Sequence, residues 1–283
     1  MRHGICLSPA GQHGDARTLG EFAKLAEASG WDGVFLEDYV IFQGKLGTPT
    51  YDPWIALAAM ALKTEHIRLG TAVTPLARRR PWKVALESVT LDHLSDGRLI
   101  LGVGLGEHND ASFVRFGEMA DDKQRAGILD EALEVLAGLW TGQPFSYDGK
   151  HFQIDGVPFS PTPVQKPRIP IWVGGGWPLK GPTRRALRWD GSFMYMHDYG
   201  GPWRDWTPDD VRSLKVLVDE DRSASDPFDI VVGGRPRDDD WEKDRALIGS
   251  LAEAGATWYV EYEPPNELEV IRERIERGPL RIS

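Results

Sequence analysis

The sequence predicts an α/β fold, a (β/α)8 barrel of the TIM type, and three observations predict it. Eight short apolar or β-branched runs alternate with longer amphipathic ones. The order is strand first and helix second throughout. The 283 residues are a length that such a barrel fills as one domain, so residues 1–283 are read as a single unit.

Strand candidates, in order, are Gly4 to Ser8, Gly33 to Glu37, Ile67 to Thr74, Leu99 to Gly104, Ile169 to Gly174, Gly191 to Tyr195, Phe228 to Gly233 and Thr257 to Tyr262. Helix starts are legible as caps. Thr18 with Glu21 reads as a capping box, Pro53 as a first helical residue after Asp52, and Thr207, Pro208 and Asp210 combine both signals. The fourth helix runs from about Lys123 to Trp140, and Asn266 with Glu269 opens the last. Between the fourth and fifth strands the connection is too long, so about 141–168 is an excursion. Within it FSYDGKHFQI reads as a hairpin turning at Asp148-Gly149.

Composition excludes several classes. With 43 Asp plus Glu against 33 Lys plus Arg, the net charge is −10, the wrong sign for a partner of nucleic acid. The longest apolar run, Trp54 to Leu62, is about half of what a membrane span needs. The first residues carry no export signal, so the cytoplasm is expected. Cys6 is the only cysteine, which excludes an internal disulfide and any multi-cysteine metal centre. No HxH, HExxH or GxSxG motif is present, which argues against a metal-dependent or serine hydrolase, and no metal is expected. Redox chemistry would need a borrowed cofactor.

In a barrel of this kind the reactive groups follow the strands. Trp54, Trp82, Trp177, Trp203, Trp206 and Trp241 all do, and an aromatic rim would suit a flat conjugated ligand or an apolar substrate. Helix-to-barrel packing is the alternative. Of these Trp54, Trp82 and Trp177, with His108 and His197 from the loops, are the candidate substrate pocket; His13 is a further loop histidine. The fourth strand ends LGVGLGEHND, whose Gly102, Gly104 and Gly106 would let a ligand approach the backbone, although a barrel bend explains them equally. This is not the GxGxxG spacing of a dinucleotide fingerprint. Gly174, Gly175 and Gly176, followed by Lys180, Gly181 and Thr183 before a helix, form either a phosphate cradle or a plain loop. Arg78, Arg79 and Arg80 could grip an anion or pair with nearby acids. Asp38 and Tyr39, after the second strand, could exchange protons or orient a ring.

Several segments together resemble the bacterial luciferase-like flavin-dependent oxidoreductases. They are GWDGVFLEDY, IRLGTAVTP, LDHLSDGRLILGVGLGE, RAGILDEALEVLAGLW, YDGKHFQIDG through PTPVQKPRIPIWVGGG, and Asp190-Gly191, in order from Gly30 to Gly191. The resemblance implies a barrel binding FMN or the 8-hydroxy-5-deazaflavin coenzyme, its ring against Ala72, Val73, Thr74, Gly104, Gly106 and Glu107. It also implies a bulge or non-proline cis peptide in the third strand, and a cofactor phosphate at Gly174 to Gly176, Thr183 and Arg125. Members of the family commonly have Asp-His or Glu-His where this chain has Asp38-Tyr39. Reduced FMN with oxygen would give monooxygenation, and the deazaflavin would give hydride transfer, in either case on a small organic substrate. Glu107 is the candidate acid or base, since partial burial beside the ring would raise its pKa, and Tyr39 the candidate proton donor. A separate flavin reductase and a homodimer are the implied partners. A non-catalytic flavoprotein or ligand-binding barrel is the alternative that the Asp38-Tyr39 departure supports.

Overall fold

The computed structural model describes residues 1–107, 110–119, 121–196, 204–223, 226–237 and 240–281. The strands are β1 (Arg2–Leu7), β2 (Gly33–Leu36), β3 (Arg68–Thr71), β4 (Thr74–Pro75), β5 (Leu99–Gly104), β6 (Phe145–Asp148), β7 (Gln153–Val157), β8 (Ile171–Trp177), β9 (Gly191–Met196), β10 (Asp229–Gly233) and β11 (Trp258–Glu263). Nine of them form one parallel sheet in the order β3-β2-β1-β11-β10-β9-β8-β5-β4. Pairing of β3 with β5 closes it into a barrel. β3 and β4 are two halves of one stave, interrupted at Ala72-Val73, whose peptide is cis as the resemblance implied.

The helices are α1 (Ala16–Ala28), α2 (Pro53–Lys63), α3 (Pro81–Leu94), α4 (Ala111–Val114), α5 (Asp122–Leu139), α6 (Lys180–Leu187), α7 (Pro208–Asp221), α8 (Trp241–Glu253) and α9 (Leu268–Glu276). Asp52 caps α2 with Pro53 behind it, and Thr207 with Asp210 closes a capping box on α7, both as expected. α1 differs. Its cap is Asp15, which accepts from the amides of Arg17 and Thr18, while the Thr18 hydroxyl donates to the same carboxylate at 2.7 Å. The carboxylate outcompetes the hydroxyl as acceptor and draws the start three residues earlier. α9 begins one residue later than Asn266 suggested, with Glu267 at its cap position.

Two cores result. Helices and barrel enclose the larger, and a smaller one fills the barrel from Cys6, Phe35, Ile100, Trp172, Val231, Trp258 and Val260. Its aromatic plug brings Trp172 to 5.2 Å from both Phe35 and Trp258. Rings of that size fit because facing positions are glycine: a Cβ at Gly33 would stand 2.9 Å from the Phe35 ring, and one at Gly191 2.5 Å from Trp172.

The family-like segment LDHLSDGR acts as a clasp. The buried Arg98 guanidinium donates to the carbonyls of Ala61, Thr64 and Ile67, so it ties the end of α2 to the approach to β3. Asp92 meanwhile accepts from Val164 and Gln165, anchoring the return from the excursion. There β6 and β7 form the expected antiparallel hairpin, but Asp148 faces Gln153, so the turn is the four residues 149–152 rather than Asp148-Gly149 alone. Glu131 of α5 accepts from the amides of Lys150, His151 and Phe152 and stabilises the longer turn.

Candidate active site at the barrel mouth

Side chains alternate along a strand, so the residue two beyond an interior one also faces the barrel axis, nearer the C-terminal mouth. Cys6 thus leads to Ser8, Phe35 to Glu37, Val260 to Tyr262 and Phe193 to Tyr195. The corresponding positions on β5 and β8 are glycines, Gly102 and Gly104 after Ile100, and Gly174 and Gly176 after Trp172. The inner rim is therefore polar on one side and bare on the other.

On the polar side the Ser8 hydroxyl donates to Glu37 Oε2, and the Tyr262 hydroxyl donates to the same oxygen at 3.3 Å. Gln43 donates to Tyr262 at 3.1 Å. Burial pushes the Glu37 carboxyl up to about 7, against the opposing pull of the two hydroxyls. Tyr39 is held well above its ordinary phenol value, first by burial and then by the carboxylates of Glu37, Glu107 and Asp110. It stays protonated, a donor only. Its ring packs edge-on against Phe42 at 5.8 Å.

On the bare side Val73 lies over the glycines. A Cβ at Gly104 would come within 2.7 Å of its Cγ2, and one at Gly174 within 2.8 Å of its Cγ1. Beside it Thr74 is fully buried, and its hydroxyl has no hydrogen-bond partner among the described residues.

Several expected site residues are occupied otherwise. Asp38 is buried and clamped: Arg79 donates to both its oxygens, at 3.1 and 3.0 Å, and Arg78 to Oδ1 at 3.1 Å. These contacts occupy the Asp38 carboxylate, the Arg79 fork and one nitrogen of Arg78. Arg80 is exposed beside the Trp82 ring. Arg125 is fully buried and donates to the carbonyls of Leu105 and Glu107 and to Asp122, so it braces the loop after β5. The Thr183 hydroxyl donates back to the Leu179 carbonyl at 2.7 Å, within its own helix. Gly175 packs under Pro182, which a Cβ would meet at 2.4 Å. Gly106 has φ +77 and lies against Phe113, where a Cβ would stand 2.8 Å from the ring, so the turn itself calls for glycine. Glu107 is exposed, so the burial expected to tune it is not there.

Among the described residues Trp54, Trp82 and Trp177 do not line the mouth together. Trp54 and Trp177 belong to the core between helices and barrel, Trp177 stacked on Trp206 at 6.1 Å and donating to Asp210. Trp82 is exposed, its edge against Phe152 of the excursion. The reason is geometric: Trp54 and Trp82 fall in first helical turns, outside the wall, and Trp177 points outward from β8. His108, His197 and Trp203 lie outside the described residues.

Glu37, Ser8, Gln43 and Tyr262 were not read as site residues. Strand alternation could have found the first, second and fourth; Gln43 carries no signal before the loop is seen.

A sequence model described as luciferase-like monooxygenase matches residues 1–201, and the chain belongs to that family. An F420-dependent glucose-6-phosphate dehydrogenase of Nocardia farcinica (strain IFM 10152) is 35% identical over 167 residues, covering 58% of this chain and 48% of that protein. The chain thus spans about half the length of that curated relative. A second, from Nakamurella multipartita, carries the same description at 27% identity, with 92% of this chain and 84% of the relative covered. Among solved structures, an F420-dependent secondary alcohol dehydrogenase in complex with an F420-acetone adduct superposes with TM-score 0.77 at 18% identity, over 97% of this chain and 96% of that one. A monooxygenase of Streptomyces bottropensis gives 0.74 at 18%, over 97% and 96%. At such identities the structures establish the shared fold. Among the described residues no helix is long and apolar enough to cross a membrane.

Proposed function

We propose that the chain is a flavin- or deazaflavin-dependent oxidoreductase acting on a small organic substrate at the C-terminal mouth of the barrel. The observation that carries this reading is the division of the inner rim. A flat conjugated ring needs a floor without projecting side chains, which Val73 over Gly104 and Gly174 supplies, and polar groups at the edge where reaction occurs, which Glu37, Ser8 and Tyr262 supply. The orphan Thr74 hydroxyl adds a hydrogen-bonding group beside that floor. These residues fit FMN or the 8-hydroxy-5-deazaflavin coenzyme.

The cofactor phosphate would meet the loop of Gly174 to Gly176 and the start of α6. There Leu179 makes no side-chain cap bond, so the first amides and the exposed Lys180 are the donors. When bound, the coenzyme supplies two-electron chemistry, hydride transfer for the deazaflavin and oxygen activation for reduced FMN. Similarity to F420-dependent dehydrogenases favours the deazaflavin. With FMN, a separate flavin reductase would be the partner. Glu37, Tyr39 and Glu107 are the groups available to hold or move a proton at the rim; Asp38 fixes the loop that carries Tyr39. The reading places the protein in the cytoplasm, where a pool of reduced coenzyme is maintained. A homodimer belongs to it as well: α2 exposes Ile55 and Leu62, seven residues apart on one face, and neighbouring α3 exposes Leu86.

Titrating the protein with each coenzyme, oxidised and reduced, while following tryptophan emission tests the reading. Quenching with saturation is expected. Failure of both to bind below roughly 100 μM, about −5.5 kcal/mol, would overturn it.

A further inference from the structure

We propose that Glu37 is the catalytic carboxyl group that exchanges a proton with the substrate's oxygen, and that the substrate is an uncharged alcohol or the carbonyl compound it becomes. This rests on the oxidoreductase reading of the same site.

Geometry singles out Glu37 among the acids of the mouth. It stands two residues beyond Phe35, an interior residue of β2, and therefore on the barrel's axis side. Ser8 and Tyr262 both donate to its Oε2, which fixes the carboxyl group from β1 and β11 at once. Its Oε1 takes no hydrogen bond among the described residues, which leaves that oxygen for a ligand. The other acids are placed differently. Asp38 is clamped by Arg78 and Arg79, and Glu107 is exposed.

The groups facing Glu37 are neutral: Ser8 and Cys6 from β1, Tyr262 from β11, and Tyr39 from the loop after β2. Burial then puts its titration at about 7, where a base and its conjugate acid are both available. In the forward direction the substrate's carbinol C–H bond breaks and its electron pair leaves as hydride to the bound deazaflavin. The O–H proton passes to Glu37 Oε1 as the C=O bond forms. The substrate would lose two electrons, the bound coenzyme would gain them, and the proton would pass from Glu37 Oε1 to solvent at the mouth once the product leaves.

Charge argues for an uncharged substrate. Arg79 pairs with Asp38, Arg78 lies between Asp38 and Asp110, Arg125 meets Asp122 and loop carbonyls, and Arg235 pairs with Asp205 and Asp244. A phosphorylated substrate would bring two negative charges against Glu37, Glu107 and Asp110.

The test uses coenzyme-loaded protein with carbon-13-labelled glutamate carboxyl groups. Two carboxyls should titrate near neutrality, Glu37 and Glu263, the latter raised to about 7 by burial but paired with Arg274. Glu37→Gln should remove one of them. Adding 2-butanol should shift that resonance and leave Glu263 in place, whereas glucose 6-phosphate should shift neither. Tyr262→Phe removes a bond to the charged form, so the Glu37 titration should move upward. With 2-butanol as substrate, Glu37→Gln should lower kcat about 10²-fold or more with coenzyme affinity within about twofold. A Glu37 resonance that alcohols leave unmoved, or a Glu37→Gln protein with undiminished kcat, overturns the assignment while coenzyme binding persists. Loss of coenzyme binding in the native protein would instead strike the oxidoreductase reading.

Discussion

Asp38 and Arg79 meet in the wall of the barrel mouth through two hydrogen bonds, 3.1 Å from Nε to Oδ2 and 3.0 Å from the guanidinium to Oδ1. The pair joins the loop after β2 to the loop after β4, with Arg78 closing on the same carboxylate. It turns a residue at a catalytic-looking position into a brace. Removing the carboxylate leaves two guanidiniums, one 7% and one 20% exposed, with only the more distant Asp110 and Asp52 to balance them. Asp38→Ala should therefore cost about 3 kcal/mol in urea denaturation, the scale of a broken buried pair. A loss under about 1 kcal/mol would show the clamp to be marginal.

Gly106 is expected to matter for stability. Its φ of +77 is one that side chains rarely adopt, and the Phe113 ring occupies the space a Cβ would need. Gly106→Val should lower stability by more than about 1 kcal/mol and loosen the loop that Arg125 holds. A thermal midpoint equal to the native protein's would contradict this placement.

The pH dependence of stability should separate Glu37 from the rest of the chain. Its native pKa, about 7, lies above the ordinary 4.5, so between those values the native state binds more protons than the unfolded state. Its contribution is fully present below about 4.5 and is lost as pH rises through 7. Glu37→Gln lacks that loss, so its stability relative to native protein should rise from pH 5 to 8. His3 works in the opposite sense: burial, aided by Arg281, lowers it to about 4, and stability present above 6.5 is lost as pH falls through 4. Guanidinium melts of both proteins across this range would show the two slopes. A stability difference independent of pH would contradict the Glu37 burial.

The dimer can be tested at α2. Leu62 is 73% exposed and Ile55 67%, and glutamate at either position leaves the barrel interior untouched. If this face joins two copies, Leu62→Glu should shift the sedimenting species from dimer to monomer with an unchanged thermal midpoint for the barrel. A native monomer at micromolar concentration would rule the interface out.

Much of the barrel was legible because each strand is a short apolar run ended by glycine or a polar residue, and Asp52-Pro53 and Thr207-Pro208 mark helix starts unambiguously. Thr18 misled because two possible acceptors, Asp15 and Thr18, stand three residues apart and only geometry shows which donates. The Asp38 clamp depends on two loops meeting about 40 residues apart in sequence, which no local pattern encodes. The tryptophans misled for a different reason: being placed after a strand does not distinguish the mouth from the outside of the wall. Glu37 is legible, since alternation from Phe35 already aims it inward, whereas Asp38 and Tyr39 carry the more familiar catalytic residue types at the strand's end.

The most direct test of the coenzyme's place in the barrel is equilibrium dialysis of labelled deazaflavin coenzyme against native protein and Gly104→Leu. The Val73 side chain already fills the space at Gly104 to within 2.7 Å of a Cβ, so a leucine there must displace the floor on which the ring is proposed to lie. The account predicts saturable binding of one coenzyme per native chain and a loss of at least about 100-fold, near 2.7 kcal/mol, in the folded variant. Equal affinity in the two proteins would contradict it.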